Sequence, residues 1–440
     1  MNQIEYGKLK KIQDANLSDK TVVVRLDLNV PMKNGEITDP SRIVAAFQTL
    51  DYLIQNRCKI IVLSHLSRIK KEEDITSGKK SLLPVSVYIK NAYPNSGVYF
   101  AQDNTNPEII KVAQSLKIGD ILILENTRYQ DFDMNKKEVV KKESKCDMKL
   151  ASFWASLGEI FINDAFATIH RKHASNYGVG SIMKESYVGF LIQNELTNIL
   201  KFNKDSKKPI VSIIGGAKIS DKIILLKKII AMSDKVLIGG GMAYTFLKAL
   251  GKNIGTSLCE EEMLQTAKDL YIGNERKIVL PVDVMCAEKF EDVKGKKFVY
   301  DMGGIPVNMQ GLDIGPKTIK LFTKEIQTAN TIFWNGPCGV FEFKHFAKST
   351  KKITKVIVKA TAKGAFSLIG GGDTASAATS FENKDSFSFV STGGGATLAI
   401  IQDEDLPGLF FGKEKAQKLH IKVDKTAQVQ YTKTLKVDVF

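Results

Sequence analysis

The second half of the chain repeats one arrangement four times: a short apolar run that ends in glycines. The four are SIIGGAK (Ser212–Lys218), LIGGG (Leu237–Gly241), LIGGGDT (Leu368–Thr374) and STGGG (Ser391–Gly395). Glycines between a strand and a helix let phosphate oxygens approach backbone N–H groups at the positive end of the helix. A tight turn asks for the same residues, so one cluster decides nothing, whereas four along one sheet edge favour phosphate. None matches GxxxxGK[ST], and none completes GxGxxG with a ribose-binding acid at the expected distance, which excludes a P-loop and the dinucleotide fingerprint. Lys218 and Lys222 follow the first glycine pair in GGAKISDK. On a helix starting there, the i, i+4 spacing puts both ammonium groups on one face, within reach of a phosphoryl group; the bland alternative is a solvated lysine pair. Asp373 follows GGG directly, placed either to hold Mg²⁺ on nucleotide phosphates or to cap a helix. Glu342, in WNGPCGVFEF, is placed to accept from ribose hydroxyls or is a surface acid.

The first half carries different chemistry at its strand ends: RLDLN (Arg25–Asn29), SHLSR (Ser64–Arg68), ENTRY (Glu125–Tyr129) and NDAFATIHRKH (Asn163–His173). Only seven arginines stand against 56 lysines, and six of the seven precede residue 172. A chain that uses lysine almost everywhere keeps arginine partly where a planar fork must grip carboxylate or phosphate. Chance placement under codon bias explains the count equally well. His170 and His173 form HxxH, a weak metal signal without a third ligand nearby. With Arg171 between them, a basic patch for an anionic substrate is better supported. Neither a GxSxG elbow nor a Cys–His nucleophile signature is present.

These residues need strands and helices to hold them. Apolar runs at Val22–Leu26, Lys59–Leu63, Val98–Phe100, Ile121–Leu124 and Ile160–Ile162, then Ile210–Ile214, Lys235–Ile238, Lys277–Leu280, Thr331–Trp334, Phe366–Ile369 and Phe387–Val390, each precede a helix-length stretch. Such alternation predicts parallel sheets covered on both faces, with ligands beyond the carboxyl ends of the strands. Eleven runs exceed one doubly wound sheet and predict two α/β domains. The boundary is expected near Tyr187–Lys208, where GFLIQNELTNILKF reads as one amphipathic helix.

A length of 440 residues suits two or three domains, and 43% hydrophobic with 25% charged residues excludes wholesale disorder or a fibrous repeat. No apolar run is long enough to span a membrane, and the opening residues lack the apolar core of a signal peptide. Five scattered cysteines argue against a disulfide framework and suit a reducing cytoplasm. The formal charge of +15 would serve nucleic acid, a membrane surface or acidic metabolites.

Taken in order, RLDLNVP, ITDPSRI, SHLSR, ENTRY, NDAFATIHRKHAS, GGAKISDK, LIGGGMAYTFL, LPVDV, GLDIGPKT, WNGPCGVFEF, IGGGDT and STGGGA resemble the phosphoglycerate kinase family from about Val22 to about Leu409. The resemblance implies an α/β fold of two Rossmann-like domains whose parallel sheets face across a cleft, joined by a helix hinge. It divides the chain into 1–188 with 404–412, binding 3-phosphoglycerate, and 189–403, binding the nucleotide, with 413–440 as an extension. It implies reversible transfer of the acyl phosphate of 1,3-bisphosphoglycerate to MgADP, giving 3-phosphoglycerate and ATP. By motif, Asp27, Asn29, Arg42, His65, Arg68, Arg128, His170 and Arg171 would contact the glycerate and its phosphate. Gly216, Ala217, Lys218, Lys222, Gly240, Gly311, Asn335, Pro337, Glu342, Gly371, Gly372, Asp373 and Thr374 would form the nucleotide site, with Asp373 the Mg²⁺ ligand. Catalysis would fall to Arg42, Lys218, Lys222 and the helix N-terminus at Gly393, Gly394 and Gly395, with hinges near Phe190–Asn198 and Ser391–Gly395. The implied protein is a cytoplasmic monomer acting on small molecules, with no membrane and no specific nucleic-acid partner. Five positions depart from the family pattern: Leu28, Ser67, Ile69, Tyr129 and Ala167.

Family members end soon after a motif like DLPGLFF, whereas here Gly412–Phe440 continues with a net charge of +4. LHIKVD and TLKVDVF alternate apolar and polar residues, which predicts an added β-hairpin; a disordered basic tail is the alternative. Two other function classes are disfavoured. Nucleic-acid binding lacks an RRM, KH or helix-turn-helix signature and a striped basic face, and a dehydrogenase lacks the dinucleotide fingerprint.

Overall fold

A computed structural model describes residues 8–409 and 436–439. The chain divides into two compact units, Met1–Leu196 with Asp405–Phe440, and Thr197–Glu404. The division therefore lies at Leu196/Thr197, inside the helix Phe190–Asp205, rather than at 188/189. The return crossing lies at Glu404/Asp405, which leaves Ser391–Gly395 inside the second unit and away from a crossing. The helix read from GFLIQNELTNILKF forms; its first turns bind the first unit, where Ile192 N–H donates to Asp164 Oδ1 (3.1 Å) and Phe190 N–H to Thr49 Oγ1 (3.2 Å).

The first unit is built on a seven-stranded sheet in the spatial order Ser186–Val188, Ile160–Asp164, Thr21–Leu26, Lys59–Leu63, Ile121–Leu124, Val98–Ala101 and Val437–Val439. All neighbours are parallel except the last pair. Alternate residues of each strand feed opposite cores, as the two-residue repeat of a strand requires. Val22, Val24, Ile60, Val62, Ile121 and Ile123 pack with helices Ser41–Gln55 and Leu83–Ala92. Val23, Ile61, Leu63, Leu122, Leu124 and Phe161 pack with helices Glu108–Ser115 and Met148–Ala155. Burial on both faces is why these strands read as unbroken apolar runs.

The second unit has a six-stranded parallel sheet in the order Ile278–Val279, Lys235–Ile238, Ile210–Ile214, Thr331–Asn335, Phe366–Ile369 and Phe389–Val390. Val211, Ile213, Ile332 and Trp334 meet helices Pro316–Gln327 and Lys348–Ala362 in its largest core. The expectation of parallel sheets alone is corrected here: Asp283–Ala287, Lys296–Val299 and Gln310–Ile314 make a separate antiparallel sheet. The strand expected in the tail forms at its end. The strand Val437–Val439, in the TLKVDVF stretch, joins the first unit's sheet edge, while LHIKVD lies outside the described residues.

Candidate active site

In the first unit the cationic side chains gather at the carboxyl ends of the parallel strands. Arg25 lies near the end of Thr21–Leu26, with Asp27 and Asn29 just beyond it, and His65 follows Lys59–Leu63. Arg128 stands in the turn Thr127–Asp131, whose start is capped by Asn126 accepting from Arg128 N–H (3.0 Å). His170 and Arg171 follow Ile160–Asp164 after the short turn Phe166–Thr168. Arg42, in the first turn of Ser41–Gln55, forms an ion pair with the buried Asp27.

Sequence reasoning missed what holds this cluster together. Arg25 is wholly buried; its Nε donates to Ser175 Oγ (2.8 Å) and its Nη2 to His65 Nδ1 (2.9 Å). Glu143, also wholly buried, accepts from Ser175 N–H (3.0 Å) and Oγ (2.6 Å). Burial lowers the Arg25 guanidinium to about 10, with Glu143 and Asp27 pulling it back up, so it stays charged at neutral pH. Burial pushes the Glu143 carboxyl up, while Arg25 and Ser175 pull it down. Next to Glu143, Ser144 bonds Arg128, and Arg128 pairs with Asp131 (3.1 Å). The only signal for Arg25 was its place in RLDLN; Glu143 and Ser144 had none.

So much positive charge has consequences for the histidines. Burial pushes His65 well below its ordinary value, and Arg25, Arg128, His173 and Arg42 push it further. His170, which accepts from Arg171 Nε (3.0 Å), falls to about 4 through burial and Arg171. His173 stands 3.4 Å from Arg128 Nη2 and is driven down in the same way, first by burial and then by the arginines. The pair therefore engages arginines rather than each other. Asn29 Oδ1 accepts from Ser67 N–H (2.8 Å), and Arg68 and Arg171 reach the surface. Four buried polar atoms, Asp27 Oδ1, Arg128 Nε, His170 Nδ1 and His173 Nδ1, find no hydrogen-bond partner among the described residues. Buried polar atoms are otherwise nearly always paired, so this cluster has the chemistry to receive an anion rich in acceptors and hydroxyls.

In the second unit the knot is Asn335, at the end of Thr331–Asn335. Its backbone C=O accepts from Gly215 N–H (2.9 Å), its Nδ2 donates to Gly370 O (2.7 Å), and its Oδ1 accepts from Lys222 Nζ (2.7 Å). Lys222 also donates to Gly215 O (2.7 Å). Burial lowers its ammonium to about 8, although Asp373 and Asp221 pull it up. Thr374 Oγ1 accepts from Gly336 N–H (2.7 Å), which joins the Phe366–Ile369 side of the sheet to the same knot. The helices Gly372–Thr379 and Gly394–Ile401 begin side by side: a methyl group on Gly394 would lie 3.3 Å from the Gly371 Cα and the Gly372 N. Gly393 precedes the second helix and Gly395 is exposed in its first turn. Two helix N-termini thus meet in one region, where negative charge is favoured.

Lys218 and Lys222 do not share a helical face. The helix starts at Ile223; Ser220–Lys222 is a 3₁₀ turn, and Ala217 and Lys218 are exposed in the loop before it. Gly216, at φ +117°, bends the chain away from the strand in a conformation closed to most residues. Glu260, far along the sequence, then pins the loop by accepting from Ile219 N–H (2.6 Å) and Ser220 N–H (3.2 Å). Gly240 N–H donates to Cys338 O (3.1 Å), beside the half-buried Pro337. Gly311 lies on Gln310–Ile314, where a methyl group would sit 2.5 Å from the Tyr244 Cζ, so its packing alone demands glycine. Glu342 is exposed.

Asp373 fits a magnesium ion. Its carboxylate is exposed in the first turn of Gly372–Thr379 and accepts no hydrogen bond from the described residues. Mg²⁺ is typically held by one or two carboxylates together with phosphate oxygens and water. The described residues hold no group of three or more His, Cys, Asp or Glu side chains that would cage a metal by themselves.

The family model described as Phosphoglycerate kinase matches residues 12–404. The phosphoglycerate kinase of Malacoplasma penetrans is 49% identical over 94% of this chain and 88% of its own, and that of Mycoplasma pneumoniae 48% identical over 91% and 98%. The solved phosphoglycerate kinase of Coxiella burnetii superposes with a TM-score of 0.76 at 34% identity, covering 91% of this chain and 98% of that one.

Proposed function

Because this chain belongs to the phosphoglycerate kinase family and catalyses reversible phosphoryl transfer between 1,3-bisphosphoglycerate and ADP, we propose how its residues divide that work. The first unit binds the glycerate. Arg42, Arg68, Arg128 and Arg171 neutralise its carboxylate and phosphate, and Asp27, Asn29, His65 and His170 meet its remaining polar atoms. The observation that carries this assignment is the set of four buried, partnerless polar atoms beside those arginines.

The second unit binds the nucleotide. Gly216, Ala217, Gly240, Gly311, Asn335 and Pro337 shape its site, Glu342 meets the ribose, and Gly371, Gly372 and Thr374 present N–H groups to the phosphates. Asp373 would hold Mg²⁺, which when bound offsets phosphate charge. Lys222 directs its ammonium toward the moving phosphoryl group, Lys218 supplies a second cation from the loop, and the helix N-terminus at Gly393, Gly394 and Gly395 faces the same charge.

No general base is required. In the ATP-consuming direction the nucleophile is a carboxylate, already ionised at neutral pH. What opposes reaction is charge crowding, so positioning and electrostatic neutralisation carry catalysis. Arg42 comes from the first unit and Lys222 from the second, so each unit contributes a cation to the transfer. The chain works as a cytoplasmic monomer on small molecules, without a membrane or nucleic-acid partner. Among the described residues no helix is long and apolar enough to cross a membrane. Steady-state kinetics of Arg171→Ala and Asn335→Ala test the division. The first should raise KM for 3-phosphoglycerate at an unchanged KM for ATP, and the second the reverse. The opposite pattern would refute the assignment.

A further inference from the structure

The first unit's sheet needs both edges closed, because an open edge offers unpaired N–H and C=O groups to any other strand. At one edge Val188 N–H donates to Lys10 O (2.9 Å), so the chain's own N-terminal segment covers it. At the other edge lies Val98–Ala101, the uncharged run VYFA. Val437–Val439 pairs with it antiparallel, Val437 opposite Ala101, Asp438 opposite Phe100 and Val439 opposite Tyr99. This strand lies beyond residue 404, where the match to the family model stops.

The hydrogen bonds fix which groups the added strand covers. Gln102 N–H donates to Lys436 O (3.1 Å), whereas Ala101 O accepts from Glu125 N–H (3.0 Å) on the opposite side. Backbone groups alternate sides along a strand, so Phe100 and Gln102 face the tail while Tyr99 and Ala101 face Ile121–Leu124. Asp438 adds a side-chain clasp, its carboxylate accepting from Gln102 Nε2 at 2.9 and 3.2 Å. The edge left outermost is three residues long and carries Lys436 and Asp438 at and beside it. Short, charged edges resist further pairing.

We infer that the strand Val437–Val439 is an edge cap acting within its own chain, which denies the Val98–Ala101 edge to a second copy of the protein. The cap is separate from the transfer chemistry, and none of its residues belongs to the proposed sites. Amide hydrogen exchange read residue by residue tests it, on the full chain, on a chain ending at Leu435 and on Asp438→Pro. Proline at 438 removes the N–H that faces Phe100 O. In both variants Phe100 and Gln102 should lose protection by at least about tenfold, while Tyr99 and Ala101 keep theirs. The truncated chain should also form a concentration-dependent dimer by light scattering, with turnover unchanged. Unchanged protection at Phe100 and Gln102 overturns the inference. So does equal loss at all four amides in both variants, a truncated chain that stays monomeric, or a full-length chain that is already a dimer through this strand.

Discussion

Lys222→Ala is the substitution that bears most directly on the phosphoryl-transfer assignment. Lys222 spans Gly215 O and Asn335 Oδ1, both at 2.7 Å, so its ammonium is held in place before any ligand arrives. Removing one preorganised donor aimed at developing charge costs ~2.7–4 kcal/mol, or about 10²–10³ in kcat. KM for ADP should change far less, because the helix N–H groups, Lys218 and a magnesium ion on Asp373 would still meet the phosphates. The wild type supplies an independent check through pH. Burial sets the free ammonium at about 8, so it is protonated below that value and neutral above it. The kcat/KM for ADP should therefore be level up to about pH 8 and then fall roughly tenfold per pH unit. Phosphate beside the ammonium favours its charged form, so the same break should appear at higher pH in kcat. Coupled assays of both directions between about pH 6.5 and 9.5 would read this. Normal turnover in Lys222→Ala, or a flat kcat/KM through this range, refutes the reasoning.

Arg25→Lys replaces a fork that reaches Ser175 and His65 with a single point charge. It should cost ~1–3 kcal/mol of stability in denaturant unfolding and raise KM for 3-phosphoglycerate while leaving that for ADP alone. Because burial and the arginines hold His65, His170 and His173 below their ordinary range, KM for 3-phosphoglycerate should not follow histidine protonation between about pH 5.5 and 8. Only the ligand's own phosphate ionisation should show, and a further break near pH 6.5 would count against neutral histidines. Asp373→Asn should raise the magnesium concentration for half-maximal rate by about tenfold, ~1.4 kcal/mol, as read by metal titration. Ser67 adopts φ +58°, in the left-handed region that favours glycine. Ser67→Gly should relieve ~1 kcal/mol of strain, lose nearly as much to backbone entropy, and leave the melting temperature within about 2 °C.

The strands of both main sheets were legible because burial on two faces makes a continuous Val/Ile/Leu signal. Ser186–Val188 carries no such run and was missed. The antiparallel sheet of Asp283–Ala287, Lys296–Val299 and Gln310–Ile314 was missed because one of its strands is lysine-rich and has no buried residue. The residues proposed for the sites were picked out by motif, but their geometry was not legible. AKISDK has helical spacing, yet Gly216 and the distant Glu260 hold it in a loop and a 3₁₀ turn. The burial of Arg25 depends on Ser175 and His65, contributed by remote parts of the chain, and no local pattern records that. Likewise the alternation in TLKVDVF announces a strand but not the edge it will join.

On the proposed division of ligands, the two units solve the same electrostatic problem with different materials, and the difference follows from what each would hold. The glycerate ligand is small and carries charge at both ends, so few atoms are available for recognition and each must be met by a strong, directional donor. Arginine supplies that, but guanidinium groups gathered this closely repel one another. Asp27 on Arg42, Asp131 on Arg128 and Glu143 near Arg25 offset that repulsion within the fold. Their carboxylates cannot follow the ligand, so the positive field is set before binding and is not reorganised by it. A nucleotide offers a base, a ribose and a phosphate chain, so shape and many weak backbone donors suffice. There one half-buried cation stands at the knot, and burial, partly offset by Asp373 and Asp221, brings Lys222 to about 8. That ammonium is stabilised most when negative charge stands beside it, which is the condition that phosphoryl transfer creates.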